Sequence, residues 1–378
     1  MSFSLGFYSL IPFLTLLQAV IFSVLLLWRG WREERHSDFR LALLLVLFGL
    51  IATPYMLGMM GINYLWEEWP FYPWQYFGLA IPPSIYLFLR SLVNSDFRFE
   101  ARQLWHYAPY LLNFAYHLAV GMQGADFANW WQQNVDSRYL FYILLEGVEL
   151  VQHIVYLALS IRLYRQYRAW IEKEFSDLDK VEFAWFRGFL FVFTLKTVEV
   201  WAFAIYYLFV GEQYDKLWWG YFADTVMTYF LSIFGYAQPP VRRIYFKENS
   251  SAKIDLPKNA PGRDLDLEAW KTRVLDFFEK EKPWIEPELT LSELAAKMGS
   301  NSSVLSQVIN AGFDKNFNDF VNGYRVGAFK QKIRQPETAH LTLLAVALDC
   351  GFNSKATFNR AFRKLTGLSP KEFAAQKD

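Results

Sequence analysis

Leu5 to Trp28 runs for more than twenty residues without a charged side chain. A helix needs about 20 apolar residues to cross a hydrocarbon layer of about 30 Å, so this stretch predicts a membrane span. It is longer than the core of a signal peptide, and no basic residue precedes it. Six further stretches predict spans: Phe39 to Gly61, Tyr72 to Val93, Tyr107 to Met122, Tyr139 to Leu163, Phe186 to Val210 and Leu217 to Ala237. The fourth is short and holds Pro109, Asn113 and His117. Pro54 in the second and Pro82–Pro83 in the third predict kinks, which neighbouring helices in a bundle tolerate.

Charge gives an independent reading of the same layout. Arg29, Arg32, Arg35 and Arg40 flank the first predicted loop, and Arg90, Arg98 and Arg102 the third. The fifth carries Arg162, Arg165, Arg168, Lys173, Lys180 and Arg187, and Arg242, Arg243 and Lys247 follow the last span. The alternate loops hold Glu67 and Glu68, then Asp126, Asp136 and Arg138, then Glu212, Asp215 and Lys216. By the positive-inside rule this alternation predicts an outer N-terminus and a cytoplasmic C-terminus. Tryptophans gather near the span ends, at Trp28, Trp31, Trp66, Trp69, Trp74, Trp105, Trp130, Trp131, Trp218 and Trp219. Interfacial anchoring accounts for them; an aromatic vestibule on the outer side is the sharper alternative.

Several ionisable residues fall inside these spans. Glu146, Glu149 and His153 sit at i, i+3 and i+7 and share a helix face. Lys196 and Glu199 are three apart on the sixth span, and Asp224 lies within the seventh. A charge in hydrocarbon is costly, so such groups face the bundle interior and pair. Two readings stand: Lys196 and Glu199 pair with each other or with Glu146 or Glu149 and fix helix packing, or the group is a ligand or proton site.

Beyond Pro239–Pro240, Lys247 to Arg263 is poor in apolar residues and predicts a linker averaging about 20 to 25 Å. Helical periodicity then returns. Leu265 to Lys280 predicts one helix, and Thr290-Leu291-Ser292-Glu293 is a capping box that opens a second. Gly299 ends it, and a third, from about Ser302 to Ala311, presents Ser302, Ser303, Ser306 and Gln307 outward. Phe317 to Arg334 predicts a longer helix. Leu343, Leu344, Ala345, Val346, Ala347 and Leu348 predict a short buried one, with Cys350, Gly351 and Phe352 in the turn. The last helix starts at Asn353 or Ser354 and buries Phe358, Ala361, Phe362 and Leu365, leaving Lys355, Asn359, Arg360 and Arg363 on the other side.

Leu344 to Ser354, Phe358 to Phe362, Thr366-Gly367-Leu368-Ser369-Pro370 and Phe373 resemble the second helix-turn-helix of the AraC/XylS family of bacterial transcription regulators. The resemblance extends back to about Asp264, so the Thr290 to Ala311 pair becomes the first helix-turn-helix and Asn322-Gly323-Tyr324-Arg325-Val326 part of the connecting helix. It implies double-stranded DNA as partner. Lys355, Asn359 and Arg360 are then the base-reading candidates, Arg360 because a guanidinium matches guanine O6 and N7. Arg363 and Lys364 are phosphate candidates, Ala356 a thymine-methyl contact, and Ser302, Ser303, Ser306 and Gln307 the weaker readers of the first module. From Phe320 to Lys371, nine basic residues, Arg325 among them, face only Glu337 and Asp349, an excess of seven positive charges for phosphate attraction.

The expectation is an all-α chain: a seven-helix membrane domain over 1–240, a linker over 241–264 and a DNA-binding domain of two helix-turn-helix motifs joined by a long helix over 265–378. It describes a one-component regulator in a bacterial inner membrane, its DNA-binding domain in the cytoplasm. The bilayer, a small-molecule or lipid signal, a second copy on DNA and RNA polymerase are the further partners. A fused enzyme or transporter, with the intramembrane carboxylates and His153 as proton relay, and a passive anchor are the alternatives. The sequence holds no phosphate-binding glycine loop, metal-ligand pattern or nucleophile elbow, so neither catalysis nor a cofactor or metal is expected. The single cysteine, Cys350, excludes an intrachain disulfide and is read as a core filler.

Overall fold

A computed structural model describes residues 6–62, 77–94, 97–136, 140–178, 184–210, 217–237, 266–338 and 340–376. The linker and the charges of the second and sixth predicted loops lie outside them, as do Trp66, Trp69 and Trp74. The chain divides into two compact units, Met1–Tyr164 with Ala184–Phe246, and Arg165–Phe183 with Lys247–Asp378.

In the first unit, helix α1 is Phe7–Arg32, α2 His36–Met59, α3 Ile81–Val93, α4 Ala108–Gly121 and α5 Ala125–Trp131. Helix α6, Leu140–Glu174, contributes residues to both units, and α7 (Ala184–Val210) and α8 (Trp218–Tyr236) complete the first. Among the described residues, three helical segments are long and apolar enough to cross a membrane: Phe7–Arg32, His36–Met59 and Phe186–Val210. Helix α4, with 14 residues, is about 21 Å long and falls short of a hydrocarbon layer. Pro54 lies within α2 as expected. Pro82 and Pro83 instead occupy the first turn of α3 and kink nothing, because the N–H they lack has no intrahelical partner there.

Helices α1 and α8 bury many small and polar side chains and expose large apolar ones. The buried stripe of α1 is Ser9, Pro12, Thr15, Ala19, Ser23, Leu26, Arg29 and Gly30, while Phe7, Val20, Val24 and Trp31 are exposed. Helix α8 buries Asp224, Thr225, Thr228 and Ser232 and exposes Phe222, Val226 and Phe234. Helix α7 exposes Phe191, Val198, Leu208 and Phe209, the last at 85%. Small and polar residues let helix backbones approach and hydrogen-bond across the interface: Thr15 meets Thr225 at 2.5 Å, Gln18 Nε2 donates to Ser232 Oγ at 2.8 Å, and Ser23 Oγ donates to the Ala42 carbonyl at 3.0 Å. Arg29 is not a solvated loop charge. It is buried, donates from Nε to Asp38 Oδ2 at 2.7 Å, and reaches the carbonyls of Gly235 and Tyr236 at the end of α8.

The second unit contains α9 (Leu267–Glu281), α10 (Leu291–Lys297), α11 (Ser302–Phe313), α12 (Phe317–Lys332), α13 (Leu343–Leu348), α14 (Lys355–Thr366) and α15 (Pro370–Ala375). Each begins at a side-chain cap: Asp266, Thr290, Asn301, Asn316, Thr342, Ser354 and Ser369 accept from backbone N–H groups at 2.7 to 3.2 Å. Two cores result. Val274, Phe278, Leu294, Leu305, Val308, Phe317 and Phe320 close the first module, and Phe329, Val346, Cys350, Phe352, Phe358 and Phe362 the second. Helix α12 supplies side chains to both.

Candidate nucleic-acid interface

Helix α14 is sharply two-faced. Thr357, Phe358, Ala361 and Phe362 are buried, and Lys355, Ala356, Asn359, Arg360, Arg363 and Lys364 are exposed. The face holding the sequence-predicted readers is thus one continuous surface, set by Phe358 and Phe362 packing on Phe329 in tilted and edge-on contacts at 4.7 and 5.5 Å between ring centres. Lys355 sits at the helix N-terminus, where the backbone N–H dipoles add to its positive charge. Two residues assigned to buried stripes prove exposed: Leu348 at the end of α13 and Leu365 at the end of α14. Both lie in the last turn of their helix, where the core has narrowed.

In the first module, Ser303 and Gln307 are exposed, whereas Ser302 and Ser306 are partly covered and Ser306 Oγ accepts from Asn310 Nδ2 at 3.1 Å. Helix α12, of 16 residues, is about 24 Å long, a length suited to holding two helices over successive major grooves about 34 Å apart.

The cationic surface is smaller than the residue count implies. Arg325 does not contribute to it: the guanidinium is fully buried, donating to the carbonyls of Trp284 at 2.8 Å and Glu286 at 2.7 Å and to Ser176 Oγ at 3.2 Å. Burial lowers its pKa to about 10, with Asp177 opposing the shift. Lys364 Nζ binds both carboxylate oxygens of Asp319, at 2.6 and 2.8 Å. Lys330 lies 5.3 Å above the Phe373 ring and Lys332 Nζ donates to the Asp349 carbonyl at 3.4 Å. Helical periodicity in the sequence locates Arg325 on α12 but cannot reveal that it points between the two modules.

Cys350 is buried in the second core, and burial raises its thiol to about 11. The thiolate is the reactive form, so a thiol reagent at pH 8 should label the native chain far more slowly than the chain in denaturant. Comparable rates would show the core open.

In the first unit, the polar residues singled out by sequence separate into groups. Lys196 Nζ stands 2.9 Å from Glu199 Oε2 and 2.7 Å from Asp224 Oδ1, a triad joining α7 to α8 in which Asp224 is buried and the other two are half-buried. Glu149 instead lies against the α-carbon of Gly78, where a Cβ would come within 2.6 Å of its carboxylate. His153 is buried and its Nδ1 lies 3.0 Å from the Glu149 carbonyl. The Glu146 side chain lies outside the described residues. Pairing of Lys196 with Asp224 is the partnership that spacing along one helix could not disclose.

Comparison with known proteins bears on the C-terminal part. Residues 294–376 match the family model described as a helix-turn-helix domain. The chain is 32% identical over 87 residues to the HTH-type transcriptional regulator CdhR of Pseudomonas aeruginosa, covering 23% of this chain and 25% of that protein. It is 28% identical over 92 residues to the uncharacterized HTH-type transcriptional regulator YtdP of Bacillus subtilis, covering 24% of this chain and 12% of that one. The matches thus span a quarter or less of each relative. No solved structure matches the chain.

Proposed function

We propose that the chain is a membrane-embedded transcription regulator of AraC-like type, which binds double-stranded DNA through α11 and α14 under control of a signal received by the first unit. One juxtaposition carries the reading. A helix-turn-helix unit with a cationic α14 face shares a polypeptide with helices that bury threonine and serine and expose phenylalanine, leucine and valine. The alternating loop charges favour a cytoplasmic position for the DNA-binding unit. A second copy of the chain on DNA and RNA polymerase are the expected partners, and the Lys196, Glu199 and Asp224 triad is the candidate signal-responsive group.

The test is to express the full chain in its bacterial host, fractionate the cells, and map bound genomic sites by crosslinking. Recovery in the membrane fraction together with discrete bound sites supports the reading. Release into the soluble fraction without detergent sinks the membrane half, and absence of any enriched site sinks the DNA half. Within it, Arg360→Ala should weaken binding about 10- to 100-fold and relax discrimination at one base position, whereas Arg363→Ala should weaken binding to all duplexes and flatten the salt dependence. A uniform loss for both variants would remove Arg360 from the base-reading set.

A further inference from the structure

Residues 165–178 belong to the second unit, although they lie almost ninety positions before α9 in sequence. The final turn of α6 and the four residues after it contact both modules of the DNA-reading unit and α12 between them. On the first module, Ser176 N donates to the Leu289 carbonyl at 3.2 Å, Ser292 N donates to Glu174 Oε1 at 3.3 Å, and Phe175 pairs antiparallel with Thr290. On α12, the Ser176 carbonyl accepts from Asn318 Nδ2 at 2.9 Å and Asn322 Nδ2 at 3.2 Å, and Arg325 reaches the same residue. On the second module, the Asp177 carboxylate accepts from Asn353 Nδ2 at 3.1 Å and Thr357 Oγ1 at 3.0 Å, beside the N-terminus of α14. Ser176, Asp177 and Leu178 are all buried.

The chemistry of these contacts is that of a structural joint. Ser176 offers one carbonyl to two amides of α12, and the buried Asp177 carboxylate accepts from two donors of the second module. Asp177 is also the negative charge facing the buried Arg325 guanidinium. Buried polar groups held by several partners fix a single arrangement, because any other leaves one of them unpaired. The two modules have separate apolar cores, and α12 supplies side chains to both. A second tie between them restricts how α14 is oriented relative to α11.

We propose that Glu174–Asp177 is a working part of the DNA-reading unit, and that Asp177 is a positioning residue that sets the orientation of α14 relative to α11 and thereby the separation of the two half-sites the protein accepts. The inference rests on the DNA-binding reading above.

The test uses the full chain in lipid nanodiscs and a library of random 40-base-pair duplexes, enriched through rounds of binding and sequenced. Wild type should enrich a two-part motif of fixed separation. Asp177→Ala should bind the best wild-type duplex about tenfold more weakly and enrich motifs of several separations. Thr357→Val, which keeps the volume and removes the hydroxyl donor, should broaden the separation in the same direction with a smaller loss of affinity. It decides the matter if Asp177→Ala does not fold. Unchanged separation in both variants overturns the proposal, as does tighter binding by either, which would mark an inhibitory contact instead. If wild type enriches no duplex, the DNA-binding reading fails and the proposal with it; enrichment by wild type with unaltered variants defeats the proposal alone.

Discussion

Replacing Arg325 with leucine is expected to destabilise the C-terminal unit by about 3 to 5 kcal/mol, the range for breaking a buried, hydrogen-bonded charge. The side chain is fully buried and satisfies the carbonyls of Trp284 and Glu286 together with Ser176. Leucine fills part of the volume but leaves those carbonyls without the guanidinium and Asp177 without the positive charge that faces it, and each stranded buried group costs about 1 to 3 kcal/mol. Arg325→Lys keeps the charge, yet a single ammonium cannot reach acceptors arranged around a planar fork, so it should recover only part of the loss. Amide hydrogen exchange on the full chain reads this directly. Protection in α12 should fall by about 100-fold or more in the leucine variant, at about 1.4 kcal/mol per factor of ten. Protection equal to wild type would mean that the guanidinium is not structural, and would restore Arg325 to the phosphate-facing set.

Gly351→Ala should be nearly as damaging, through the backbone rather than through charge. Gly351 has φ of +85°, and left-handed geometry costs an L-residue about 1 to 2 kcal/mol. The larger effect is steric. A Cβ there would collide with the Trp284 carbonyl and lie 2.9 Å from the Ile285 α-carbon. That carbonyl also accepts from Arg325 Nε, so moving the 284–285 backbone aside withdraws a buried acceptor from the guanidinium. Gly367 supplies the internal control: its φ is +77°, but nothing lies within 4 Å of an added Cβ. Thermal unfolding followed by exchange in the second unit should give a loss of more than about 3 kcal/mol for Gly351→Ala and about 1 kcal/mol for Gly367→Ala. Equal losses at the two positions would show that the turn simply opens and that contact with the 284–285 backbone matters little.

What the amino-acid sequence determined by itself is local. Each helix start in the second unit is written as a capping side chain, and the turn at Cys350–Phe352 as a glycine with positive φ. The stripe Phe358, Ala361 and Phe362 dictates which face of α14 is left exposed, because i, i+3, i+4 periodicity survives whatever packs on it. The long apolar runs likewise define α1, α2 and most of α7 from composition. The tertiary structure alone decided which charges meet. Arg325 and Lys364 carry the same sequence signal as Arg360, yet one is enclosed between modules and one is held by Asp319, both through residues more than thirty positions away. Lys196 finds Asp224 on another helix, and Asp177 finds Asn353 and Thr357 some 180 positions later. Hydrophobic periodicity encodes a direction relative to one helix axis, whereas a polar partner is fixed only when two elements have packed. The cationic face was therefore legible beforehand, and the joint that orients it was not.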